Sequence, residues 1–298
     1  MADVVNPTLP VPGSGPRLHV PRSVPQIFKL TRYQFREYLT SRRFVVLLAI
    51  VAAIGAIISA VVGHFRGGLV ASPLAFYGSF WGGGAGFVIV LAAVFFGGDA
   101  IAGEFQNKTG YFLMGLPIRR ATVYVGKFIA AFLASVCVML LFLAILVGNG
   151  IYYFGASAFP WQIAPSFLLA LAYLLAVLGT TFMFSSLFKT SAYGFVLTAI
   201  LFLFGFTLLE DLVSALVKIE PWMVISYASG AIGDVFANSI NWGLAGTVVT
   251  TRTPVGRGAT VVTTVYTPGV AEGIVIILAY FLVTAVVGLL LFEREEFS

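Results

Sequence analysis

The chain has 298 residues, 59% of them apolar and only 10% charged, where an ordinary soluble protein carries about 25% charged residues. So few charges cannot cover a soluble fold, and residues 44–63, 67–98, 128–188, 190–209 and 273–292 contain no Asp, Glu, Lys or Arg. About 20 mostly apolar residues cross the bilayer core as a helix, so the composition excludes a soluble domain and predicts an all-α polytopic membrane protein. The net charge of +5 is explained by sidedness, and no nucleic-acid partner is expected.

Residues 1–25 hold six prolines and no apolar core, which reads as a disordered cytoplasmic tail (1–24) and not as a secretory signal. In the next stretch, 25–43, Phe28, Thr31, Phe35 and Tyr38 fall on one helical face with Ile27 and Leu39 beside it. Lys29, Arg32, Arg36 and Arg43 lie largely elsewhere. This pattern predicts an amphipathic helix in the membrane interface, its cations near anionic lipid headgroups. A basic flank that merely enforces topology is the alternative.

The first span is expected at 44–63. Gly67, Gly68, Ser72 and Pro73 break the start of the next run and put the second span at 80–98. Inside it, Gly82, Gly83, Gly84 and Gly86 allow either close helix contact or an unwound segment. The 61-residue run 128–188 must fold back once. Gly148-Asn149-Gly150 and Pro160/Pro165 mark that turn, giving spans at 124–147 and 164–187. Spans at 192–213 and 272–292 complete six. The single cysteine, Cys137, sits inside an apolar run, where helix packing is its expected role and no disulfide or thiol cluster can form.

Six spans leave both ends on one side. Thirteen of the Lys and Arg residues fall on that side and four on the other (Arg66, Lys218, Arg252, Arg257), so the positive-inside rule puts both termini in the cytoplasm of a multi-pass cell-membrane protein.

Between the second and third spans, residues 99–120 are far longer than a turn requires. Asp99 and Glu104 stand at the exit of the second span, where an unpaired carboxylate in hydrocarbon would be costly. Tyr111, Phe112, Leu113, Met114 and Leu116 form an apolar cluster closed by Pro117, Arg119 and Arg120 follow, and Lys127 marks the start of the third span. Short helical signals with exposed-looking aromatics suit a docking surface for a cytoplasmic partner; an irregular loop on the membrane surface is the bland alternative. On the outer side, 148–163 carry no charge but present Tyr152, Tyr153, Phe154 and Trp161 as interfacial or vestibule aromatics. In the outer loop 214–271, residues 222–240 are apolar enough to dip into or lie on the membrane. The pentapeptide TVVTT at 247–251 and 260–264 predicts an extracytoplasmic β-hairpin or, failing that, a flexible threonine-rich arm.

Catalytic chemistry is not visible. No glycine group has the GxxxxGK[ST] order of a phosphate-binding loop, His19 and His64 cannot form a metal cluster with Cys137, and the central spans hold no ionisable residue. No catalytic, cofactor or metal site is therefore expected on this chain, and energy must come from a partner.

At this point the chain resembles the ABC-2 type transporter permeases over most of residues 26–298. The resemblance rests on the basic amphipathic helix before the first span (Tyr33 to Arg43), the six spans, and the segment after the second. There, Asp99, Glu104, Thr109/Gly110, Met114 to Pro117, Arg119 and Gly126-Lys127 follow the family pattern, with Thr preceding Gly where the family has the reverse. The ending Leu-Phe-Glu-Arg-Glu-Glu-Phe (291–297) is similar too. The resemblance implies a permease subunit working as two copies, or with a homologous permease, beside a cytoplasmic ABC ATPase that carries ATP and Mg2+; this chain would bear no cofactor. It implies export, with coupling through Asp99, Glu104, Phe105, Tyr111, Phe112, Pro117, Arg119, Arg120 and Lys127 and through the interfacial helix (Phe28, Arg32, Phe35, Arg36, Arg43). Spans one, two and five would form the path and the dimer seam. The competing class is a non-transporting membrane anchor or assembly subunit.

Overall fold

The computed structural model describes residues 23–64, 72–106, 119–188, 190–237, 239–255 and 259–294; the expected tail falls outside them apart from its last two residues. Six helices are long and apolar enough to cross a membrane: Arg42–His64, Pro73–Glu104, Arg120–Phe154, Ile163–Leu187, Ser191–Val217 and Val270–Arg294. With the helix Ser23–Thr40 ahead of them and one small two-stranded sheet, they make an all-α membrane fold.

The second and fourth spans are the centre of the bundle, 72% and 61% buried over their apolar windows, against 17% for the fifth and 22% for the first and sixth. The fourth packs on the sixth and the second, and the third packs on the second, the first and the N-terminal helix. Aromatic rings fill the middle. Trp81 stacks on Phe142 at 6.0 Å, and its indole nitrogen donates to Ser166 Oγ at 2.9 Å, so the largest buried side chain keeps its polar atom satisfied.

Several boundaries differ from the sequence expectation. The second span begins at Pro73, not near 80: Ser72 Oγ accepts from Ala75 N and Pro73 occupies the first helical turn. Ser-Pro is therefore a helix start here, since proline at that position loses no hydrogen bond. The span passes through one π-helical turn, Gly78–Gly82, and is not unwound. The close contact allowed by its glycines is made: a Cβ on Gly82 would overlap Gly233 Cα, and one on Gly84 would lie 2.9 Å from Phe142.

The third span runs unbroken through Gly148-Asn149-Gly150 to Phe154. Asn149 Nδ2 donates to Ser59 Oγ at 2.7 Å and to Ile145 O at 3.0 Å, and Gly150 makes room for the Tyr77 hydroxyl. These residues seat the first and second spans against the third. The turn falls at Gly155, whose φ of 83° suits glycine, and Pro165 lies inside the first turn of the fourth span. Lys127 thus stands two turns inside the third span and does not mark its start.

At the far end of the bundle, most of residues 224–236 pack against protein, while Trp222 and Met223 ahead of them are exposed. Two short helices, Ile225–Ser229 and Ala231–Asp234, bury Ile225, Tyr227, Ala228, Ala231, Ile232, Val235 and Phe236 among the second, fourth and sixth spans. Ser166 Oγ donates to Ile232 O and Tyr280 to Met223 O, so this re-entrant pair closes that end of the bundle. Beyond it, strands β1 (Thr247–Val255) and β2 (Ala259–Thr267) pair antiparallel from Thr247↔Thr267 to Val255↔Ala259. The hairpin is present, but residues 247–251 face 263–267, three positions out of step with the second TVVTT copy.

Candidate coupling site

The N-terminal helix packs along the third span, and Ile27, Leu30, Thr31, Gln34, Phe35 and Tyr38 share its half-buried to buried face. Gly126 permits the close approach, since a Cβ there would lie 2.7 Å from Leu30. Thr31 Oγ1 donates to Gly126 O at 3.1 Å and Tyr38 to Phe96 O at 3.2 Å. Burial, and then the Asp99 and Glu37 carboxylates, push the Tyr38 hydroxyl far above its ordinary value, so it remains a donor at any working pH. Phe28 departs from the expected face: it is 72% exposed, at the edge between the packed residues and the exposed cations Lys29, Arg32 and Arg36. An apolar edge beside a row of cations is the geometry of a helix lying in a membrane interface.

The chain leaves the second span through a turn at 98–101 and the short helix Ala102–Gln106. Asp99 pairs with Arg43 at the head of the first span. Glu104 pairs with Lys127, whose side chain is only 6% exposed and which also donates to Ala100 O at 2.8 Å. Ser185 of the fourth span accepts from the amides of Ile101 and Ala102, each at 3.0 Å, and so caps the short helix from outside. Gln106 Oε1 accepts from Ser191 N at 2.9 Å and Ser191 Oγ at 2.8 Å, where the fifth span begins. Gly194 lets the fifth span approach the turn: a Cβ there would lie 2.5 Å from Gly98 O. A cleft of about 720 Å3 opens between these pieces, lined by Glu37, Tyr38, Arg42, Arg43, Asp99 and Glu104 among others.

Of the residues singled out in the sequence, Arg43, Asp99, Glu104 and Lys127 come together here, and Phe35 is half-buried on the packed face of the N-terminal helix. Arg119 is exposed just before the third span, and Arg120 donates to Glu293 O at 2.9 Å at the end of the sixth. Only the backbone of Phe105 is described, and Tyr111, Phe112 and Pro117 lie outside the described residues. Arg32 and Arg36 point away from the cleft on the free face of the N-terminal helix. Sequence reasoning does not single out Ser185, Gln106, Ser191 or Gly194, because a serine or glycine in an apolar run carries no signal until its partner is known.

The arrangement ties one short segment to the first, third, fourth and fifth spans, while Tyr38 of the N-terminal helix bonds the second span just ahead of it and Arg120 bonds the end of the sixth. It contains hydrogen-bonded ion pairs and caps, and among the described residues no group of His, Cys, Asp and Glu that could hold a metal. The family model described as ABC-2 family transporter protein matches residues 38–205, from Tyr38 through this segment to the middle of the fifth span. The chain belongs to the ABC-2 transporter family. It is thus a multi-pass membrane permease component of an ABC transporter. No curated protein matches this permease.

Proposed function

We propose that this permease is the membrane subunit of an ATP-driven exporter, moved by a separate cytoplasmic ATPase that binds ATP and Mg2+. The observation that carries the reading is the wiring of residues 99–106 to the first, third, fourth and fifth spans. Mechanical input through this segment, which runs from the buried Ile101 and Ala102 to the exposed Gln106, suits transmission into the bundle. Asp99, Glu104 and Lys127 transmit the displacement, and Arg119, with the neighbouring Tyr111, Phe112 and Pro117, meets the ATPase. Phe28, Arg32 and Arg36 hold the N-terminal helix in the interface as the fulcrum. Both termini are cytoplasmic by the distribution of Lys and Arg, the tail 1–24 precedes the permease domain 25–298, and two permeases form the path. The weakly buried first, fifth and sixth spans offer faces for a second copy, and the family resemblance favours the first and fifth.

The test is a mild-detergent pulldown from the native membrane with mass spectrometry, beside Glu104→Lys. A near-stoichiometric ATPase whose hydrolysis or retention is lost in the variant supports the proposal. A stable set of other membrane subunits without an ATPase overturns it.

A further inference from the structure

The cleft beside residues 99–104 carries charges that the coupling contacts do not use up. Its volume of about 720 Å3 falls within the range of small-molecule sites, about 300–1,000 Å3. Three cations line it, Arg42, Arg43 and Lys127, and three carboxylates, Glu37, Asp99 and Glu104. Arg43 pairs with Asp99, and Lys127 with Glu104. Arg42 and Glu37 remain, and neither makes an ion pair among the described residues.

The two sit on either side of a break in the chain. Ser41 separates the N-terminal helix from the first span; its hydroxyl donates to Tyr38 O at 2.7 Å and accepts from Phe44 N at 3.2 Å. Arg42 is the first residue of the span. It offers five N–H donors in a fixed fork, and the start of a helix adds a preference for anions. Glu37, five residues earlier, accepts at Oε2 from Gln34 Nε2 at 2.8 Å. Glu37 Oε1 and Gln34 Oε1 keep their acceptor capacity. A primary ammonium has three donors and no acceptor, so it fits these two side chains; a quaternary ammonium has no N–H to give them.

The remaining lining sets the level in the membrane. The cleft lies where the apolar run 44–63 begins, and Phe95 and Phe96, near the end of the second span, form part of its wall. A cleft that is charged on one side and aromatic on the other, at the mouth of a span, matches the boundary between lipid headgroups and acyl chains.

We propose that this cleft seats the headgroup of a zwitterionic phospholipid bearing a primary amine, its phosphate on Arg42 and its ammonium on Glu37 and Gln34. The acyl chains leave past Phe95 into the membrane, and the seated lipid braces the elbow at Ser41. That the occupant is a lipid rests on the interfacial placement of the N-terminal helix proposed above.

Native mass spectrometry of the full-length protein, purified with whatever subunits accompany it, tests this. The probes are phosphatidylethanolamine, phosphatidylcholine and phosphatidylglycerol of identical acyl chains. The first should bind about tenfold more tightly than either of the others, the worth of one charge-assisted hydrogen bond. Arg42→Gln should weaken its binding by about tenfold, and Glu37→Gln should erase its preference over phosphatidylglycerol. Lys29→Gln, a cation outside the cleft, should change neither. Equal binding of the three lipids by the wild type, or an unchanged preference in Glu37→Gln, overturns the site. Free phosphoethanolamine competing as well as the whole lipid overturns the membrane source. Should Arg42→Gln fail to insert, Glu37→Gln carries the test. The same spectra score the ATPase. Its absence beside an intact lipid preference fails the transporter reading alone, and a missing preference beside a bound ATPase fails the lipid site alone.

Discussion

Lys127 is a cation with almost no exposed surface, held by Glu104 and by the carbonyl of Ala100. Removing one member of a buried pair costs far more than the pair contributes, because a desolvated charge is left behind. Lys127→Met should therefore lower stability by about 3 kcal/mol. Arg43→Ala, at a site where the arginine side chain is 59% exposed, should cost about 1 kcal/mol or less. Thermal unfolding of the purified variants measures both, and equal losses would contradict the assignment of Lys127 as the buried member. Lys127, Glu104 and Asp99 are legible in the sequence because charges at the ends of apolar runs are conspicuous. Their pairing is not: Lys127 reads there as a boundary residue, and its burial follows from two helical turns of the third span that precede it.

At the scale of elements, apolar run length makes the six spans legible, and alternating β-branched residues make the hairpin legible. Their ends are harder, because the same residues serve opposite purposes. Ser72-Pro73 starts a helix where the sequence predicts a break, and Gly148-Asn149-Gly150 stays helical because Ser59 and Tyr77 pack against it. The re-entrant pair is ambiguous in sequence because its apolar residues face protein and not lipid, which periodicity cannot distinguish. Its fit against the second span gives a sharp expectation. Gly82→Ala forces backbone against backbone at Gly233 and should destabilise by about 3 kcal/mol, in the range of overpacked cores, whereas Gly83→Ala, with nothing near its Cβ, should be nearly silent. Asp234 supplies a pH dependence. Burial pushes its carboxyl up to about 6 from 3.8, so its protonated form suits the folded segment. Its contribution is full below the ordinary aspartate range and is lost as pH rises through about 6. Asp234→Asn should thus raise stability at pH 8 by on the order of 1 kcal/mol after solvent screening, with little change at pH 4. Unfolding curves at the two pH values decide it, and a gain at pH 4 alone would contradict the sign.

For the whole molecule, the family assignment and the wiring converge on one region. The matched residues 38–205 contain Asp99, Glu104, Lys127 and Ser185 and leave out the hairpin and the sixth span. The hairpin and the re-entrant pair lie outside the matched residues. The central claim is that the segment after the second span meets an ATPase. Photocrosslinking in the native membrane tests it most directly, with a benzophenone amino acid placed either at Arg119, exposed beside the segment, or at Trp161, exposed at the opposite end. The account predicts a crosslink from position 119 to an ATP-binding protein and none to it from position 161. A crosslink to that protein from position 161 alone, or none from position 119 while the complex still hydrolyses ATP, would contradict it.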